Sequence, residues 1–103
     1  MHITSTSDAL AVAGPLDVTT AADARRILHR ALENGSGDLV LDLAELGPWD
    51  STGLGVIMSA HRHAGRLDRR LVLRAVPARM QRLLVATRLN RILAIDGVDP
   101  TVA

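Results

Sequence analysis

This sequence predicts an α/β fold: a mixed, mostly parallel β-sheet of about five strands packed with helices. Three observations predict it. Aliphatic runs of strand length recur along the chain, stretches with helical apolar spacing separate them, and the first two runs sit close enough to pair as a hairpin. Parallel strands need a crossover connection, usually a helix, whereas a short turn joins antiparallel ones, so the strands are expected to lie parallel where helices cross over. Right-handed crossovers are the expected hand.

In chain order, residues 3–13 hold two short apolar runs broken by Ser5-Thr6-Ser7-Asp8, which reads as two strands and a turn. Gly14-Pro15 is expected to stop the second strand. From Thr20 onward, Ala24, Ile27, Leu28, Ala31 and Leu32 follow the spacing of one helix face. Thr20 with Asp23 three residues later resembles a capping box, and Asn34-Gly35 closes the helix. Leu39-Val40-Leu41-Asp42-Leu43, bounded by Gly37 and Gly47-Pro48, reads as a buried and central strand. After Asp50 a second helix places Leu54, Ile57, Met58 and His61 on one stripe, with Val56, Ala60 and Ala64 flanking it. Leu71-Val72-Leu73 is a further strand. Pro77 suits the first turn of a third helix carrying Met80, Leu83 and Leu84. A last strand is expected around Ile92-Leu93-Ala94-Ile95, before the tail Val98-Asp99-Pro100-Thr101-Val102-Ala103.

A chain of 103 residues has room for one core, so residues 1–103 are read as a single domain. The 48% hydrophobic content is almost all Ala, Val, Leu and Ile, with one Trp and neither Phe nor Tyr, which suits aliphatic layers. Without an aromatic row to stack bases, and with a net charge of +1, direct nucleic-acid binding is not expected. All twelve basic residues are Arg and nearly balance eleven acids, so no polyanion patch is read from the composition. Absence of Cys excludes disulfides, thiolate metal sites and a cysteine nucleophile. Met1-His2-Ile3-Thr4 opens no signal peptide, and no apolar run reaches membrane-spanning length, so a cytoplasmic protein without membrane contact is expected.

The informative segment is Gly47-Pro48-Trp49-Asp50-Ser51-Thr52-Gly53-Leu54-Gly55, between the central strand and the second helix. Function in open α/β sheets gathers at the carboxyl ends of strands. A hydroxyl here stands at a helix N-terminus, where unpaired N–H groups and the helix dipole favour negative charge and would accommodate a phosphate. Asp50, Ser51 and Thr52 are all competent N-caps, so from spacing alone plain capping is the favoured reading. Gly53 and Gly55 each cost the helix about 1 kcal/mol relative to Ala, which suggests close approach by something, inside the domain or outside it.

Other chemistry finds little support. Asp50-Ser51-Thr52-Gly53 is one residue too long for an aspartic-protease Asp-Ser/Thr-Gly signature, and a helix follows it. His61 and His63, two apart, face different sides of a helix and share no metal; His61 is expected half-buried and His63 solvated, with His2 and His29 adding no cluster. No Gly-x-Ser-x-Gly elbow or P-loop is present, so neither catalysis nor a cofactor or metal is expected. Arg62, Arg66, Arg69 and Arg70 span a helix end and read as a solvated cap region.

Leu39-Val40-Leu41-Asp42-Leu43 followed by Trp49-Asp50-Ser51-Thr52-Gly53-Leu54-Gly55-Val56-Ile57 strongly resembles the motif of the STAS family, named for sulfate transporters and anti-sigma-factor antagonists. Gly14-Pro15-Leu16-Asp17 with Thr20-Ala21 resembles the family's entry into its first helix, and residues 70–89 fit its later half. The resemblance implies a STAS-like domain over nearly the whole chain. It also implies a partner switch: an anti-sigma factor that is a serine kinase phosphorylates Ser51, the unphosphorylated form binds that anti-sigma factor and frees the sigma factor, and a phosphoserine phosphatase resets the system. Asp50, Thr52, Gly53 and Leu54 then frame the acceptor as partner-binding positions, with Asp17 near the same surface. The alternative is a STAS subunit or scaffold of a transporter or signalling complex that leaves Ser51 unmodified. Trp49 stands where family members usually carry an aliphatic residue and is a candidate aromatic anchor. Arg88 replaces a Gly that often closes the third helix, which suggests a different helix end, and the short tail suggests a missing or fragmentary last helix.

Overall fold

The computed structural model describes residues 1–6 and 8–96. The chain runs through strands β1 (His2–Ser5) and β2 (Leu10–Leu16), helix α1 (Ala21–Glu33), strands β3 (Asp38–Asp42) and β4 (Leu46–Trp49), and helix α2 (Ser51–Arg66). Strand β5 (Arg70–Arg74), helix α3 (Ala78–Ala86), a 3₁₀ turn (Leu89–Arg91) and strand β6 (Ala94–Ile95) follow. The sheet has six strands rather than five, in the order β1-β2-β3-β5-β6, with β4 also paired to β2. Among the described residues only the β1–β2 pair is antiparallel; β2–β3, β2–β4, β3–β5 and β5–β6 are parallel. The expected central strand β3 lies between β2 and β5, as its unbroken aliphatic run requires. The tail from Val98 lies outside the described residues.

The additional strand corrects the reading of two Gly-Pro pairs as stops. Strand β2 continues through Gly14-Pro15 to Leu16, and Gly47-Pro48 lies within β4. The two dipeptides meet: β2 pairs first with β3 and then, past a register shift between Gly14 and Leu16, with β4. Gly14 adopts φ +82°, a left-handed conformation that glycine accepts without a Cβ clash. A Cβ on Gly47 would stand 3.0 Å from the Gly14 carbonyl carbon. Proline is tolerated at such an irregularity because its missing N–H breaks no regular ladder bond there.

Helix α1 buries Ala24, Leu28 and Leu32 and ends at Asn34, as its apolar spacing predicts. The capping box does not form. Thr20 Oγ1 instead accepts from the Asp17 N–H at 3.0 Å and donates to the Pro15 carbonyl at 3.2 Å, serving the turn before the helix. In α2 the buried stripe is Gly53, Leu54, Val56, Ile57, Ala60 and Ala64, while Met58 and His61 fall to the boundary. The residues read as flanking are therefore core, since Ala60 and Ala64, both with no exposure, present small side chains on the buried face of α2. Helices α1 and α2 pack together, and α2 lies across β2, β4 and β5. Pro77 is the N-cap of α3, one position before the first turn; Met80 and Leu84 are buried and Leu83 is exposed.

Of the four arginines around the end of α2, Arg62, Arg66 and Arg70 are exposed as expected, and Arg69 departs from the reading of a solvated cap. The Arg69 guanidinium donates to the carbonyls of Leu32 (2.7 Å), Gly37 (2.9 Å), Ser36 (3.2 Å) and Ala31 (3.3 Å). It thereby satisfies the orphan carbonyls at the end of α1, a task suited to its fixed fork of donors. Arg70 pairs with Asp38 at 2.7 Å across β3 and β5.

His63, expected to be solvated, instead stacks on His29 with ring centroids 4.1 Å apart and planes 5° from parallel. His63 Nε2 lies 3.0 Å from Glu33, and His29 Nε2 lies 3.2 Å from Ser59 Oγ. Burial first, then the charges of His63 and Arg25, lower the His29 pKa from its ordinary 6.5; Glu33 opposes this and Arg66 adds to it. The unfolded chain therefore takes up this proton at higher pH than the folded one, so the associated stability is complete above the ordinary value and is lost as pH falls through the folded one. Thermal stability is expected to drop between about pH 7.5 and about pH 5.5, and His29→Gln to flatten that drop, in melting curves followed by circular dichroism.

Candidate functional site

Strand β4 delivers the chain to the start of α2 with Asp50 in extended backbone, φ −134° and ψ −174°. From there Asp50 Oδ1 accepts from the Gly53 N–H at 2.9 Å, and the Asp50 carbonyl takes the first helical bond from Leu54 N at 3.0 Å. Asp50 is thus the N-cap, satisfying one of the orphan donors of the first turn. Its other oxygen, Oδ2, accepts from the Val18 N–H at 3.3 Å and ties the loop after β2 to the helix start.

With capping assigned to Asp50, Ser51 is the first helical residue and is exposed, its hydroxyl unbonded to any other described residue. Thr52 is exposed beside it. Gly53 and Leu54 turn inward: Leu54 is in the core, and a Cβ on Gly53 would overlap the Leu16 carbonyl oxygen and stand 2.8 Å from its carbon. Gly53 is glycine because β2 passes directly beneath the first turn of α2. At Gly55, by contrast, nothing lies within 4 Å of the missing Cβ, and the residue is exposed. The two glycines that look alike in the sequence do different things.

Asp17 sits on the adjoining loop, but its carboxylate serves its own turn. Oδ1 accepts from the Thr19 hydroxyl at 2.6 Å and the Thr19 N–H at 2.9 Å. Those bonds, the hydroxyl's first, hold the Asp17 carboxyl below its ordinary pKa. Asp17 is therefore a fixed negative charge near the site, joined to it through the Val18–Asp50 bond. Val18 itself is 70% exposed. Sequence reasoning passed over it because a lone Val in a loop carries no periodic signal. Trp49 is half-buried against the core, paired across to Leu16, with the Arg79 guanidinium 5.0 Å from its ring centroid.

The surface so assembled shows Ser51, Thr52 and Gly55 on α2, Val18 on the preceding loop, and the Trp49–Arg79 pair at its edge, with carboxylates at Asp17 and Asp50. Among the described residues no cluster of three or more metal-ligating side chains occurs, and no helix is long and apolar enough to cross a membrane.

Comparison with known proteins gives a consistent answer. The family description "Mlab, STAS domain" matches residues 1–95. The anti-sigma-B factor antagonist of Staphylococcus epidermidis is 29% identical over 85 residues, spanning 82% of this chain and 79% of that protein. Its Staphylococcus aureus counterpart (strain NCTC 8325 / PS 47) is 28% identical over the same shares. Among solved structures, the anti-sigma factor antagonist SpoIIAA in its unphosphorylated form superposes with a TM-score of 0.68 at 14% identity, covering 97% of this chain and 90% of that one. A sulfate transporter family protein from Wolinella succinogenes superposes with a TM-score of 0.65 at 18% identity, covering 87% and 76%. At those identities the superpositions establish shared architecture, while the match over residues 1–95 establishes kinship: this chain belongs to the STAS domain family.

Proposed function

We propose that this protein is an anti-sigma factor antagonist: in its unphosphorylated form it binds an anti-sigma factor and releases the sigma factor, and phosphorylation of Ser51 switches that binding off. The observation that carries this reading is that Ser51 is surplus to the fold. Asp50 does the capping, so the Ser51 hydroxyl is left exposed at a helix start. The names of the staphylococcal relatives support the partner class.

In this reading Val18, Trp49, Thr52 and the bare backbone at Gly55 surround Ser51 as the contact surface, while Gly53 and Leu54 hold it from beneath. A kinase domain of the anti-sigma factor transfers the γ-phosphoryl group of ATP to Ser51 Oγ; the hydroxyl proton leaves and ADP is released. A phosphoserine phosphatase hydrolyses the ester and returns the hydroxyl. Phosphate adds about −1.5 to −2 charges at pH 7. The helix dipole tolerates it, but Asp17 and Asp50 already make the neighbourhood negative, and an interface fitted to a neutral hydroxyl would have to desolvate the new charge. The chain acts as a binding module, with no catalytic step of its own.

The test is incubation of the intact protein with ATP and the anti-sigma kinase of the same genome, followed by intact-mass measurement. One added phosphoryl group on the wild type and none on Ser51→Ala is expected. An unmodified wild type would sink the switch and leave the STAS scaffold or transporter-subunit reading in its place.

A further inference from the structure

A net charge of +1 conceals a strong segregation. Residues 69–95 contain seven of the twelve arginines and none of the eleven acidic residues. Three of the seven are paired with other groups of the chain: Arg69 on carbonyls at the end of α1, Arg70 on Asp38, and Arg74 on Asp8 and Asp42. The other four, Arg79, Arg82, Arg88 and Arg91, are exposed along α3 and the 3₁₀ turn. None of them forms an ion pair with another described residue.

Helical geometry puts these side chains together. Met80 and Leu84 are the buried side of α3, so Arg79, Arg82 and Val85 project from the opposite half of the helix, with Leu83 at its flank. The 3₁₀ turn packs against α3 and carries the surface onward. Apolar groups are interleaved with the charges: Val85 is 45% exposed and Ile92 57%.

Arg88 supplies an independent sign. Its backbone is left-handed, φ 63° and ψ 15°, a conformation that glycine adopts more readily than any residue with a side chain. A side chain there costs about 1 kcal/mol or more. The side chain that incurs this cost is exposed; Asp68 and Ala75 share the left-handed backbone, and of the three only Arg88 stands among the unpaired arginines.

We infer that the outer face of α3 and the following 3₁₀ turn is a docking surface for an acidic, aliphatic-bearing segment of a protein partner. Guanidinium groups pair with carboxylates through parallel N–H donors, and Val85 and Ile92, exposed on the same segment, offer apolar surface to aliphatic side chains. A nucleic-acid backbone would satisfy the arginines but offer nothing to the aliphatic groups. The nine-residue α3, with two of its apolar residues buried, presents too small an apolar face to lie in a bilayer surface. Arg79 over Trp49 makes the surface continuous with the Ser51 turn, yet the inference stands on the arginines and not on the fate of Ser51.

The experiment is titration of the uniformly ¹⁵N-labelled full chain with a synthetic acidic peptide of alternating Glu and Leu. Amide shifts confined to residues 79–92 are expected, with affinity lowered about tenfold or more in the Arg82→Gln/Arg88→Gln/Arg91→Gln variant and by added salt. Arg88→Gly separates binding from folding: it is expected to raise the melting temperature while weakening the peptide. Shifts lying elsewhere, unchanged affinity in the triple variant, or a lower melting temperature for Arg88→Gly would overturn the inference. So would tighter binding of duplex DNA or of phosphatidylglycerol vesicles than of the peptide at equal ionic strength.

Discussion

Gly53→Ala is expected to lower the stability of this protein by about 3 kcal/mol or more, a melting-temperature loss of about 12 °C or more. The new methyl group would occupy the position of the Leu16 carbonyl oxygen, and that oxygen belongs to backbone in β2, which cannot swing aside as a side chain would. Either α2 lifts from the sheet or β2 shifts away from β4, and both disturb the core around Leu16, Leu54 and Ile57, which are at most 8% exposed. Alanine's better helix propensity returns only about 1 kcal/mol. The control is two residues away. Gly55→Ala meets nothing within 4 Å and is expected to gain up to about 1 kcal/mol. Urea unfolding of the two variants beside the wild type would read both signs, and a similar response at the two positions would contradict the packing of β2 beneath α2.

Ser51→Glu is expected to weaken binding to the anti-sigma factor by about tenfold or more, with Ser51→Ala staying within about threefold of the wild type. Alanine removes a hydroxyl that no described residue uses, so neither the fold nor the outline of the surface changes much. Glutamate adds a charge beside Asp17 and Asp50 while keeping the carboxylate at the favourable end of the α2 dipole, so the folded state is spared. The loss then falls on the complex, which must desolvate that charge. Phosphoserine, bearing up to twice the charge, should weaken binding further than Glu. Isothermal titration of the three proteins and the phosphorylated form against one anti-sigma factor would check the order; equal affinities for Ser51→Ala and Ser51→Glu would remove the electrostatic basis of the switch.

Both predictions depend on facts that stand at different distances from the sequence. That Asp50-Ser51-Thr52 opens a helix is legible in the residues: capping side chains precede an apolar pattern of helical period. The competition among the three for the cap is not legible there, because all can accept a backbone N–H. Tertiary contact decides it, since the Asp50 carboxylate reaches both Gly53 in its own helix and Val18, 32 residues earlier in the chain. The same holds for the glycines. Gly53 and Gly55 have equal local cost, and only the passage of Leu16 beneath one of them separates their roles.

What the sequence determined by itself was the set of elements whose signal is local: the stripe of α1 and its end at Asn34, the dense aliphatic strands β3 and β5, and the start of α2 after Asp50. Each rests on spacing or capping within a few residues, where apolar periodicity and backbone preference act together. What only the tertiary structure decided was whatever joins distant segments. Strand β4 exists because Gly47-Pro48 lies against Gly14-Pro15, an arrangement that turns two apparent breakers into a paired irregularity. Arg69 serves the end of α1 rather than of its own helix, and His63 leaves solvent to stack on His29. The acid-free stretch over residues 69–95 was present in the sequence throughout, but charge along a chain becomes a surface only when folding pairs Arg69, Arg70 and Arg74 with other groups and leaves Arg79, Arg82, Arg88 and Arg91 without an ion pair among the described residues. Burial and pairing are properties of the assembled sheet and its helices, and no local pattern encodes which of several like residues they will select.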